Sequence, residues 1–109
     1  MIAGGDRDST NKSRLFEVTQ EAIVKLDDLP FELAEGRCVG NIGFNNDVVF
    51  CAGFDDQKHC HIRSEDGKFK KTRPTSDNHY LGGLARYKSS VILFSGQEDG
   101  RGTTEILEE

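Results

Sequence analysis

Cysteine and histidine are the residue types best suited to chemistry in this chain, and their spacing narrows what they could do. Three cysteines occur, at Cys38, Cys51 and Cys60. The last two flank the acidic pair Asp55-Asp56 symmetrically, so a hairpin turning at that pair sets them opposite one another. Opposed residues in an antiparallel pair approach to about 4.5–5.5 Å between Cα atoms, within reach of a disulfide. A Cys51–Cys60 bridge would place the chain in an oxidising, extracellular setting. The plainer reading is two small buried hydrophobes in a cytoplasmic protein, which is how free cysteine usually packs. Both readings stay open, and Cys38 is left over in either. Asn11-Lys12-Ser13 is a glycosylation sequon in a predicted loop, so Asn11 is a candidate acceptor that fits secretion.

His59-Cys60-His61, together with Cys51 and His79, carries metal-ligating side chains. On a strand, however, His59 and His61 share one face while Cys60 points to the other. No C-x₂-C or H-x₃-H spacing accompanies them, so ordinary strand histidines are expected, with no metal and no other cofactor. The chain has no G-x-S-x-G elbow, no H-E-x-x-H and no phosphate-cradling glycine loop. No serine pairs with a convincing histidine and carboxylate, and the reading is non-enzymatic.

Acidic residues recur after three similar apolar segments: Asp6 and Asp8, Asp55 and Asp56, Glu98 and Asp99. Arg7, Lys12, Arg14, Lys58 and Arg101 share the same loops, which makes a mixed-charge rim. A calcium site or an electrostatic contact for a partner would use such residues. Asp and Gly also populate turns for backbone reasons, and with no D-x-D-x-D-G run that explanation is preferred.

Something must hold those loops at one level, and the rest of the sequence shows what. The 109 residues suffice for one ordinary domain, and Leu, Ile, Val and Phe supply about a quarter of them. The net charge of −5 argues against a nucleic-acid partner, whose phosphates call for Lys and Arg. The longest apolar run, Val48 to Ala52, is far too short to span a membrane, and MIAGGDRD does not resemble a signal peptide. Three segments, Met1 to Asp8, Val48 to Asp56 and Val91 to Asp99, run from apolar residues through a small residue and Gly into acidic ones. Their last glycines, Gly5, Gly53 and Gly96, are 48 and 43 residues apart. Strand-like runs follow in phase at 14–18, 59–62 and 103–107, and again at 22–26 and 68–72. Pro30 and Pro74 close two of the units, while Gly40 with Gly83 and Phe44 with Tyr87 open the next two. This is a repeat of about four short strands, an all-β architecture. Turns are predicted at 45–47, at 88–90 and at Asp66-Gly67, where both positions would take positive φ. Pro30 to Cys38 reads as a loop. The glycine-ended strands are apolar throughout, which suits burial on both faces.

Four strands per unit with paired small residues ending the second resembles the kelch class of β-propeller, over essentially the whole chain. Gly4-Gly5 keeps the double glycine, while Ala52-Gly53 and Ser95-Gly96 vary it, and the usual Trp is absent. Asn78 to Ala85 resembles the entry strand of kelch-type repeats, and Ser64 to Phe69 is similar to the Asp-box of sialidase-type propellers, a structural turn. The resemblance implies a partial propeller of ten strands in a 3 + 4 + 3 arrangement. Its units are residues 1–30, lacking the first strand, 37–74, complete, and 79–109, lacking the fourth. Propellers close with about 4–8 blades, so further blades are expected from a longer chain, of which this would be a fragment, or from other copies. The implied function is binding of a protein partner through loops on one face: Asp6–Arg14, Phe54–Lys58, Gln97–Gly102, Asp27–Arg37 and Arg73–Asn78. The alternatives are a fragment of a kelch-fold enzyme of oxidase or epimerase class, or an extracellular adhesion or matrix module.

Overall fold

The computed structural model describes residues 1–5, 8, 10–40, 47–54, 56–88, 90–97 and 100–107, with the main chain alone for 37–40. Strands in phase with the glycine pairs account for nearly all of its regular structure, and no α-helix occurs among the described residues. In chain order they are β1 (Ile2–Ala3), β2 (Leu15–Val18), β3 (Ile23–Lys25), β4 (Arg37–Gly40) and β5 (Val48–Gly53). Then follow β6 (Asp56–Arg63), β7 (Phe69–Lys71), β8 (Gly83–Tyr87), β9 (Ser90–Phe94) and β10 (Thr104–Ile106). They form three antiparallel sheets, ordered β1-β2-β3, β4-β5-β6-β7 and β10-β9-β8. The grouping in three, four and three strands is the one the repeat predicts.

Residue parity in β5 explains how the sheets stack. Phe50 and Val48 point to one side, where they pack with Leu15, Leu29 and Leu33 of the first sheet and the segment that follows it. Val49 and Cys51 point to the other, where they meet Val91 and Leu93 of the third sheet. β6 repeats the division, with Cys60 and Ile62 in the second cluster. The central sheet is therefore covered on both faces, and β4 also lies against β8. The radius of gyration, 13.4 Å, is close to the roughly 13 Å of a compact domain this size.

Burial on both faces does not extend to the outer sheets. Val91 and Leu93 of β9 are buried, but Phe94 is 41% exposed, and Ile2 of β1 is 53% exposed. The composition of these strands matches that of β5; what they lack is a sheet on the second side.

The glycine-pair positions have a shared conformation. Gly4, Ala52 and Ser95 all have left-handed backbone, with φ of 76°, 58° and 62°. At Ala52 this is a bulge: Cys51 pairs with Cys60 while Gly53 pairs with Asp56, so one residue is extra. The hairpin is thus symmetric at the cysteines but not at its tip, and Asp56 belongs to β6 instead of the turn. The second position of each pair runs close to a neighbouring segment. A Cβ on Gly96 would lie 2.2 Å from the Asn78 carbonyl oxygen, and one on Gly53 would press on Leu33.

Three local expectations are corrected. β4 starts at Arg37, inside the span read as a loop, because its main chain pairs with β5 from Cys51 to Val48. Residues 78–82 are not strand: Tyr80 N donates to Asn78 Oδ1 and Gly82 N to the His79 carbonyl, which folds a turn ahead of β8. The Asp66-Gly67 hairpin is wider than two residues, since Arg63 pairs with Phe69 and only Gly67 has positive φ, at 89°. Asp66 Oδ1 instead accepts from Lys68 N, an Asx-type bond that needs no left-handed backbone. Phe44 and most of the 45–47 turn lie outside the described residues, as does Ser89 of the 88–90 turn.

Candidate functional site

Antiparallel alternation puts the β1–β2 loop, the β5–β6 turn and the β9–β10 loop at one end of their sheets. The segments from β3 to β4 and from β7 to β8 start and finish at that same end. Hydrogen bonds join these five pieces in sequence. Gly5 N donates to the Leu33 carbonyl, Glu35 N to that of Gly5, and Leu33 N to that of Lys12. Ser13 Oγ donates to the Phe31 carbonyl at 2.9 Å. Phe54 N donates to the Ala34 carbonyl, carrying the series to the β5–β6 turn. Thr75 N donates to the Lys58 carbonyl, and the Phe54 and Tyr80 rings meet edge to face at 5.7 Å. Gln57 Oε1 accepts from Asn78 Nδ2, which brings in the segment before β8.

His79 completes the rim. It is 1% exposed, with Nδ1 against the Ser95 carbonyl and Nε2 2.7 Å from Glu105 Oε1. Each ring nitrogen meets one oxygen, so the buried ring is held from both sides, by the main chain at Ser95 and by the side chain of Glu105. The two Glu105 oxygens also accept from the main-chain amides of Ser76 and Asp77. This cluster fastens the β9–β10 hairpin to the segment before β8.

The sequence-derived rim residues divide into several environments. Lys12 is largely covered and pairs with the exposed Glu32 at 3.5 Å. Arg14 is exposed and donates to the Asn11 amide oxygen, with Nε at 2.8 Å. Asn11, the sequon residue, is thereby part of the β1–β2 loop structure, half-buried. Lys58 is exposed on β6, and Arg101 is exposed in the β9–β10 loop. Arg7, Asp55, Glu98 and Asp99 lie outside the described residues.

Asp56 contacts both His59, at 2.8 Å, and Lys71, at 3.3 Å. Burial acts to raise its pKa, but the hydrogen bonds and charges of His59 and Lys71 outweigh it and hold the carboxyl below its ordinary value. His61 stacks on Phe31, ring centroids 3.8 Å apart. Burial, then the positive charge of Lys71, lowers its pKa, with Asp56 opposing.

The cysteine geometry is decided. Cys51 and Cys60 are joined by a disulfide, Cα atoms 4.3 Å apart, buried in the cluster between the second and third sheets. Cys60 and His61 point to opposite faces of β6, as the strand argument requires. The Cys51–Cys60 pair, the His59 and His61 side of β6 and the buried His79 are therefore three different settings, and among the described residues no group of three or more His, Cys, Asp or Glu could hold a metal ion. No described helix is long and apolar enough to cross a membrane.

Gln57 and Asn78 lie in loops that the sequence reading named, Phe54–Lys58 and Arg73–Asn78, whereas His79 and Glu105 were missed as rim-builders. His79 and Glu105 are 26 residues apart with nothing local to connect them. Asn78, His79 and Tyr80 are buried although they belong to a connecting segment, which the sequence does not signal. Comparison with known proteins adds no family: no family model, no curated protein and no solved structure matches the chain.

Proposed function

We propose that this chain is a non-enzymatic protein-interaction module of kelch-propeller type, which binds a protein partner through the rim just described. The observation that carries this reading is the continuous bonding of five loop segments at one end of three stacked sheets. A loop surface held by main-chain hydrogen bonds is pre-organised, so less ordering entropy opposes association. Its exposed charges, Arg14, Lys58 and Arg101, belong to segments whose sequence also carries acidic residues, a mixed composition suited to a protein more than to a polyanion. The radial arrangement of blades is supported by β4 lying against β8, each the first strand of its sheet, and by the Gly5–Ala34 bridge between neighbouring units.

The Cys51–Cys60 bridge favours an extracellular setting, and with it the adhesion or matrix form of the module. A kelch-fold oxidase would need Cys, His and Tyr ligands free to converge. Here Cys51 and Cys60 are bonded to each other, and His79 is engaged by Glu105.

The experiment compares partner capture from secreted material by three forms of the protein. One carries Arg14→Glu, Lys58→Glu and Arg101→Glu on the rim. Another carries Lys68→Glu and Lys88→Glu in the turns at the opposite end. The third is unaltered. A partner lost by the rim variant and kept by the other two is the expected outcome. Equal retention, or equal loss, in both variants would overturn the rim as the binding surface.

A further inference from the structure

The two outer sheets expose apolar faces that the central sheet does not. On the first sheet, Ile2, Val18 and Ile23 share the face turned away from the core and are 53%, 51% and 64% exposed. On the third sheet, Phe94 and Ile106, 41% and 62% exposed, share the outward face with Ile92 and Ala85. The strand positions of that outward face carry no charged side chain. On the first sheet's face the one charge is Lys25, which already pairs with Asp28 at 2.9 Å. Apolar surface gathered on sheet faces in this way marks a contact site.

Repeat equivalence identifies what fits there. Counting back from the glycine pairs, Phe94 stands where Cys51 and Ala3 stand in the other sheets, and Ile2 stands where Phe50 and Leu93 stand. Cys51 faces the third sheet and Ala3 faces the second, each towards the following unit. Phe50 and Leu93 face the preceding one. The outer face of the third sheet is therefore the half of an inter-sheet interface that awaits a following sheet. The outer face of the first sheet is the half that awaits a preceding one. Each is the complement of the other.

We propose that a second copy of this chain covers both faces, head to tail, with the third sheet of each copy packed on the first sheet of the other. This rests on the propeller reading above, and it adds the occupant. An interface between unlike surfaces closes into a ring or runs on as a filament. Propellers close with about 4–8 sheets, and of the multiples of three only six falls in that range. Two copies therefore make a ring of six sheets, whose binding face is the rims of both copies combined.

Sedimentation and light scattering of the oxidised protein test this directly. The unaltered chain is expected at twice its 12.1 kDa mass. Ile106→Lys and Ile23→Glu alter opposite ends of the molecule at exposed positions, and each alone is expected to weaken the pair tenfold or more. Circular dichroism and an intact disulfide establish that both variants fold. Mixing the two leaves one unaltered junction and sets the new Lys against the new Glu in the other, so a mixed pair is expected to form. A monomeric unaltered chain overturns the proposal, as does mass that grows without limit. A pair that Ile23→Glu leaves unchanged overturns it too, because that would be third sheet on third sheet. A monomer whose partner capture still depends on the rim charges removes the ring and leaves the rim reading standing. A stable pair whose capture ignores those charges does the reverse.

Discussion

Of Gly4, Ala52 and Ser95, the first positions of the three pairs, Ser95 is the exposed one, with φ of 62°. An L side chain there costs about 1–2 kcal/mol against the Cβ clash, and glycine escapes it. Ser95→Gly is therefore expected to stabilise the fold by about 0.5–1 kcal/mol once the looser unfolded chain is counted. Thermal unfolding should show this as a rise of roughly 2–6 °C. Gly96→Ala is expected to act in the opposite direction, by about 2–4 kcal/mol. Its Cβ would have to displace the Asn78 carbonyl and the main chain at His79. If the two substitutions shift the midpoint alike, the conformational account of the small-residue pair fails. Backbone conformation and a near neighbour act together at these pairs: Gly96 has a φ of 137° as well as the Asn78 carbonyl beside it, and Gly4 has a φ of 76° with the Leu33 carbonyl beside it.

Side chains tie strands to connecting segments in this molecule, and His79 with Glu105 is such a joint, its ring fully buried. Glu105 lies on β10, a strand of three residues with a single hydrogen-bonded neighbour. Removing its carboxylate leaves His79 buried without its acceptor, and two main-chain amides lose theirs. Glu105→Ala is expected to cost about 2–4 kcal/mol, and Glu105→Gln less, because an amide oxygen still accepts. Urea unfolding measures both, and equal midpoints for Glu105→Ala and the unaltered protein would show that β10 is held by something else. Strand positions were legible in the sequence because glycine pairs, prolines and Asp-Gly punctuate them locally. The His79–Glu105 joint was not, since neither residue carries a pattern and the contact exists only after the third sheet has formed. The Pro30 to Cys38 and Asn78 to Ala85 boundaries moved for a related reason. Strand edges there are set by a pairing partner and a capping carbonyl, which periodicity does not record.

Over the whole molecule, the disulfide is the covalent tie between the strands at the centre of the stack. It closes a short loop, with a sequence separation of 9, worth about 2–3 kcal/mol by the loop-entropy argument. A domain of this size has only about 5–15 kcal/mol in total, so the paired change Cys51→Ala and Cys60→Ala should lower the unfolding free energy by a visible fraction. Unfolding with and without reductant gives the same comparison, and identical midpoints would contradict it. The cysteine pairing was legible because reflection about Asp55-Asp56 holds at those residues even though Ala52 breaks it nearer the tip. What the sequence left open was which apolar strands would be covered. VVFCA and VILFS read alike, yet the first lies between two sheets and the second beside one.

The alternation along β5 also governs which substitutions depend on one another. Val49 and Phe50 are adjacent in the chain, yet they belong to different clusters and share no packing neighbours. Changes at the two therefore act on different clusters, and any coupling between them runs through the backbone they share. Phe50 is coupled instead to Phe31, nineteen positions earlier, and to Phe69, nineteen positions later, whose rings surround it. Sequence drift at successive residues of this strand is thus answerable to different flanks of the molecule.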